Sequence, residues 1–224
     1  MPRRRRTGSA GLIFHVLNRG AKRSQLFENA GDYAAFENLL FEARDAMQIP
    51  LLAYCLMPNH WHLVVWPEHD EDLSKFMHHL TGTHAQRWNA YRGISGEGAV
   101  YQGRFKAIPV ERDDHFLRLC RYVERNALRA GLVDRVSDWR WSSLWRRLNH
   151  CEDQFLAEWP IPRPAGWVDF LQEPVPNDES EQLRAAIRCN MPFGAERWRA
   201  ETAQRLNLPP LLRVRGRPKG TSAE

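Results

Sequence analysis

Leu56-Met57-Pro58-Asn59-His60-Trp61-His62-Leu63-Val64-Val65-Trp66 reads as the end of one strand, a short connection at Met57-Pro58-Asn59, and a second strand that opens with two histidines. Side chains alternate faces along a strand, so His60 and His62 share one face while Trp61, Leu63 and Val65 take the other. A His-x-His pair on a rigid strand is half of a metal site, although such a pair is by itself more often packed or solvated. Residues 51–56, Leu-Leu-Ala-Tyr-Cys-Leu, form the preceding strand, which makes an antiparallel hairpin with the histidine strand.

Working outward, residues 11–17 (Gly-Leu-Ile-Phe-His-Val-Leu) have the β-branched and aromatic content of a strand that ends at the turn-like Asn18-Arg19-Gly20. Asp32 is placed to cap a helix on which Tyr33, Phe36, Leu39, Leu40 and Ala43 recur at three and four residue steps until Pro50. A second helix is expected over 73–91, a glycine-rich loop over 93–98, a fourth strand over 105–111, and a third helix from about 113 to 130 that stops at Gly131. Strand, helix, strand, strand, helix, strand, helix is the split βαβ order of a ferredoxin-like α+β fold. It predicts a four-stranded antiparallel sheet with helices packed on one face, and one further helix.

The chain has 224 residues, 43% of them hydrophobic, enough for one ordinary core with an extension. The expected division is a basic leader (1–10), a main domain (11–150), a proline-rich connector (151–178), a helical extension (179–208) and a basic tail (209–224). No apolar run approaches the roughly 20 residues of a membrane span, so a cytoplasmic, nucleoid-associated protein with no membrane partner is expected. Cys55, Cys120, Cys151 and Cys189 lack C-x-x-C spacing, which points to neither a zinc knuckle nor a disulfide framework. The net charge is +5, and only four of the 32 basic residues are lysines. Arginine pairs bidentately with phosphate and stacks on bases, a bias that suits a nucleic acid partner.

On the third helix Arg118, Tyr122, Arg125 and Arg129 fall within a sector of roughly 60°, taking 100° per residue. Phe116, Leu119, Cys120, Val123, Ala127 and Ala130 occupy a separate apolar sector. Tyr122 is thus off the core-facing stripe, among arginines that could hold phosphate. Asn126, one turn on, can aim an amide at the same place. A solvated basic face is the plainer reading of these residues in isolation.

Taken together, Pro58-Asn59-His60-Trp61-His62-Leu63 and Tyr122-Val123-Glu124-Arg125-Asn126-Ala127-Leu128-Arg129-Ala130-Gly131 resemble the signature pair of single-tyrosine HUH transposases. Within that group the chain is most similar to the REP-associated tyrosine transposases, over roughly residues 11–147, with Pro192-Phe193-Gly194 and Arg215-Gly216-Arg217-Pro218 as further shared features. The resemblance implies a metal-dependent single-strand DNA endonuclease and strand-transfer enzyme acting at hairpin-forming repeats. His60, His62 and Asn126 would ligate Mg2+ or Mn2+, and Tyr122 would attack phosphorus to give a 5′-phosphotyrosine. Some relatives carry glutamine where Asn126 stands.

Several residues remain as DNA contacts. Trp139, Trp141 and Trp145 are either base-stacking platforms or core residues. Arg215 and Arg217 lie in an AT-hook-like Arg-Gly-Arg-Pro, with a plain basic tail as the equal alternative. Arg3 to Arg6 would position phosphates, and Arg19 and Arg104 sit at strand boundaries. Assembly within one chain is expected, with a homodimer as the open alternative. A DNA-binding regulator on the same fold is the competing function. A four-stranded RNA-binding module would need aromatics displayed on the open sheet face, where histidines fit a metal better, and a zinc hydrolase would need an acidic base that does not accompany the motif.

Overall fold

In a computed structural model, which describes residues 8–94, 96, 98–149 and 154–208, four strands form one antiparallel sheet. They are β1 (Ile13–Arg19), β2 (Leu51–Met57), β3 (His60–Val65) and β4 (Lys106–Val110), in the order β2-β3-β1-β4. β1 and β2 are linked through α1 (Ala30–Met47) with β3 paired between them, the split arrangement expected from the order of elements. Arg3 to Arg6, Cys151, Arg215 and Arg217 lie outside the described residues.

The alternation read from the β3 sequence governs the layers. Trp61, Leu63 and Val65 join Phe14, Val16, Tyr54 and Leu56 in a core against α1 and α2 (Asp72–Arg92). The opposite face, with Ile13, Cys55, Val64, Ile108 and Val110, packs on α3 (Asp114–Glu124), α4 (Asn126–Arg129), α5 (Ser143–Asn149), α6 (Trp167–Gln172) and α7 (Asn177–Cys189). Helices therefore cover both faces, and the tyrosine-bearing helix lies across the sheet from α1 and α2. α8 (Glu196–Arg205) follows, and no helix among the described residues is long and apolar enough to cross a membrane.

Three local differences from the sequence reading have physical causes. Asn29, not Asp32, caps α1: its side chain accepts the Asp32 N–H at 3.1 Å, while the Asp32 carboxylate accepts from Glu28 N–H. The third helix is two pieces, because the Asn126 side chain donates to the Tyr122 and Val123 carbonyls at 2.9 and 3.3 Å and competes with the backbone ladder at Arg125. The expected connector is no spacer. It contains α6, buries Trp167 and Leu171, and protects the outer edge of β2, where Trp159 Nε1 donates to Leu52 O and Ala157 N to Leu51 O.

Trp139 and Trp141 take the packing role: both rings lie on Tyr33, at 5.9 and 5.1 Å. Beneath them Glu37, 3% exposed, accepts from Tyr54 Oη at 2.6 Å and from both terminal nitrogens of Arg140 at 3.2 Å, with Arg146 at 3.6 Å. Removing a buried ion partner strands the charges left behind. Glu37→Ala is therefore expected to lower unfolding free energy by about 3 kcal/mol in urea titration.

Candidate active site

β3 pairs with β1 so that Arg19 stands opposite His60 and Leu17 opposite His62. These residues share the sheet face on which α3 lies, and the two imidazoles stand with ring centroids 5.0 Å apart. From α3 the Tyr122 ring meets His62 edge-on at 5.7 Å. Arg129 places its guanidinium 4.9 Å from the centre of the tyrosine ring. Together with Asn18, Arg19, Arg104 and Lys106 these groups line one open pocket of about 650 Å³. Residues far apart in the chain thus converge within a single subunit.

The histidines are tuned by burial. His62 is 2% exposed, and desolvation, then the neighbouring His60, His15, Arg129 and Arg19, hold it well below the usual imidazole pKa. His60 is pushed down to about 4, by desolvation first and then by Arg19 and Arg129. Both are neutral at physiological pH, the state in which an imidazole offers a lone pair to a metal. His60 Nδ1 lies 2.7 Å from Asn59 Oδ1 and donates to it, which leaves Nε2 bare. His62 Nδ1 lies 2.8 Å from Nε2 of His15, a fully buried residue on β1.

Other buried histidines give the fold a pH limit. Desolvation lowers His15 to about 3, and it lowers His84 to about 4 ahead of the repulsion from Arg92. Below pH 6.5 the unfolded chain takes up protons that the folded chain refuses, so stability falls with falling pH. Each such group contributes up to about 1.4 kcal/mol per pH unit between its folded value and 6.5. The thermal midpoint is expected to drop steadily from pH 6.5 to 4 and to stay nearly flat from 7 to 8.

A sequence profile described as "Transposase IS200 like" matches residues 9–126, more than half of the chain. The chain belongs to the IS200-like transposases. Among solved structures, a REP-associated tyrosine transposase bound to a REP hairpin aligns with 74% of this chain and 95% of its own, at 20% identity and a TM-score of 0.53. At that identity the likeness establishes a shared fold, and with the profile it bears out the resemblance carried by the two motifs. A protein of Deinococcus radiodurans R1, provisionally described as a transposase, aligns with 54% of this chain and 85% of its own at 18% identity, but its TM-score of 0.38 is too low to define a common fold. A search of curated proteins finds no match.

In this IS200-like transposase the predicted site residues divide. His60, His62, Tyr122, Arg129, Arg19 and Arg104 come together in the pocket. Arg118 and Arg125 line a neighbouring crevice, which Tyr122 and Arg129 share, with Glu179 and Leu183 of α7, and Arg118 Nε lies 4.0 Å from a Glu179 carboxylate oxygen. Asn126 is fully buried, with Oδ1 held by Arg129 Nη2 at 2.6 Å. Among the described residues one further group could hold a divalent ion: Glu111, Asp113 and His115, whose ligand atoms lie within 4.8 Å of one another. All three are engaged in the fold. Asp113 caps α3 through His115 N and also meets the His115 ring, and Glu111 accepts from Ala195 N at the start of α8. This trio sits at the N-terminus of α3, and Tyr122 lies roughly 12 Å farther along the helix at 1.5 Å per residue.

Sequence reasoning missed three contributors to the transposase pocket. Arg184 and Arg188 of α7 line it, and Lys106 steadies that helix by donating from Nζ to Ile187 O at 2.9 Å. A cation at a helix C-terminus is favourable there. The spacing of Arg184 and Arg188, one turn apart, was the available signal, but only the docking of α7 reveals what they face.

Proposed function

We propose that this chain is a divalent-metal-dependent endonuclease and strand-transfer enzyme for single-stranded or hairpin DNA. Tyr122 is its nucleophile, and His60 and His62 hold Mg2+ or Mn2+. The observation that carries this reading is the convergence of Tyr122, two neutral histidines and a set of arginines in one pocket. The solved transposase of the same fold is bound to a REP hairpin, which supports hairpin-forming repeats as the substrate class.

The donor set fits such an ion. Two imidazole nitrogens leave coordination positions for oxygen, and nitrogen ligands with oxygen suit manganese as well as magnesium. When bound, the ion supplies Lewis-acid polarisation of the scissile phosphodiester. Asn126 is the proposed third ligand. Its Oδ1 is now paired with Arg129, and transfer of that guanidinium to a DNA phosphate would release it.

The strand enters with its phosphates along Arg19, Arg104 and Arg129, under Arg184 and Arg188. Arg118 and Arg125 contribute from the adjoining crevice, and Arg215 and Arg217 from the tail. Tyr122 Oη gives up its proton and attacks phosphorus in line; the P–O3′ bond breaks and the departing 3′ oxygen takes a proton. The ester so formed keeps the bond energy, so a 3′-hydroxyl can displace Tyr122 and rejoin strands without ATP. Tyrosine and histidines come from one chain, which supports a catalytic monomer; its place of action would be the nucleoid in the cytoplasm, where its DNA substrate lies.

Incubating the protein with end-labelled hairpin DNA and Mn2+ should give an SDS-resistant protein–DNA adduct and a free 3′-hydroxyl end. Binding without any adduct across several repeat sequences would instead mark a DNA-binding regulator. The α7 arginines carry a separate prediction: the double variant R184A/R188A should weaken hairpin binding about tenfold and reduce the salt slope by about one to two. Fluorescence anisotropy titrations at several salt concentrations measure both, and an unchanged slope would place these arginines off the DNA path.

A further inference from the structure

His15 lies on β1, on the sheet face that carries His60 and His62, and belongs to neither sequence motif. It is 0% exposed. Its Nε2 is 2.8 Å from His62 Nδ1, and the two rings stack at 5.0 Å with planes 21° apart. Its other nitrogen, Nδ1, is buried without a hydrogen-bond partner.

A hydrogen bond between two neutral imidazoles needs one protonated nitrogen and one bare nitrogen, so the pair has two arrangements. In the first, His15 donates from Nε2, and His62 keeps its own proton on Nε2. In the second, His62 donates from Nδ1 and its Nε2 is bare, while His15 carries its proton on the unpartnered Nδ1. Only the second allows His62 to ligate a cation through Nε2.

Resting on the metal site proposed above, we infer that His15 is a positioning residue: it accepts the Nδ1 proton of His62 and thereby presents His62 Nε2 to a divalent cation. The stacked geometry also fixes the plane of the His62 ring, since rotation about its side-chain bonds would break the 2.8 Å contact. Asn59 performs the corresponding service for His60, through the 2.7 Å contact to its Nδ1. The two ligands are thus oriented by different partners. An amide oxygen can only accept, whereas His15 can do either, so the tautomer of His62 is set by where His15 carries its proton. Groups that hold the far nitrogen of a ligating histidine commonly account for 10- to 100-fold in metal affinity.

The test uses the full-length protein with two readouts. Imidazole 15N shifts are recorded with Zn2+ as a diamagnetic probe, and Mn2+ affinity is measured by electron paramagnetic resonance of the free ion for wild type, H15F and H15Q. The expected zinc-loaded spectrum shows shifts at His60 and His62 Nε2, with both His62 and His15 protonated on Nδ1. H15F should lose about tenfold or more in Mn2+ affinity, and H15Q, whose amide oxygen can accept the same proton, should stay within about threefold of wild type. Far-UV circular dichroism checks that the variants fold; if H15F does not, the wild-type tautomer decides. Zinc bound at His60 with His15 protonated on Nε2, or H15F binding Mn2+ as tightly as wild type, would overturn the inference alone. Zinc shifts confined to His115, with none at His60 and His62, would overturn the metal reading and the inference with it.

Discussion

His62→Ala is expected to reduce metal-dependent cleavage of hairpin DNA by at least about 100-fold while leaving hairpin binding within about threefold of wild type. The two effects separate because the residue's contacts are directed at the pocket and not along the strand path. His62 is buried, paired with His15 and faced by the edge of Tyr122. DNA affinity comes mainly from phosphate contacts, here assigned to the arginines that line the rest of the pocket. His60→Ala should give the same separation with less structural cost, since His60 is only half-buried. If cleavage and binding vanished together in a folded variant, the histidines would be DNA contacts and not metal ligands.

Tyr122→Phe should abolish the covalent adduct, a loss of at least about three orders of magnitude, with stability changed by less than about 0.5 kcal/mol. Phenylalanine keeps the ring that Arg129 covers and that packs on His62 and His15. It removes one oxygen, the atom that would bond to phosphorus. Hairpin affinity is expected to persist, because binding precedes chemistry and uses other groups. An adduct of equal yield from the variant would remove Tyr122 from the nucleophile's role and direct attention to another hydroxyl.

Alternation along β3 and periodicity along α3 carried much of this in the sequence. A strand period of two fixes which face His60 and His62 share, and that face is the one α3 covers. The helical wheel placed Tyr122 off the apolar stripe, where the structure finds it half-buried at the pocket. The same sector holds together in the structure: Arg118, Tyr122, Arg125 and Arg129 all line the crevice under α7, and Tyr122 and Arg129 also line the histidine pocket. What the wheel does not contain is α7, an amphipathic segment by sequence, of which nothing local says that Leu183 and Ala186 pack into the layer that holds α3.

His15 was out of reach for a related reason. β1 and β3 are separated in the chain by α1 and β2, so no hairpin turn sets their register, and the contact between His15 and His62 follows only from that register. Trp139 and Trp141 could be read either as stacking platforms or as core; Tyr33 on α1 decides for the core, a neighbour that sequence distance hides.

The proposed covalent bond to DNA forms at Tyr122. The direct measurement is mass spectrometry of the SDS-resistant adduct made with hairpin DNA and Mn2+, after protease and nuclease digestion. A Tyr122 nucleophile predicts a nucleotide phosphate mass on the peptide that contains Tyr122, with fragment ions localising it to that residue. The same mass on any other peptide, with the Tyr122 peptide recovered unmodified, would contradict it.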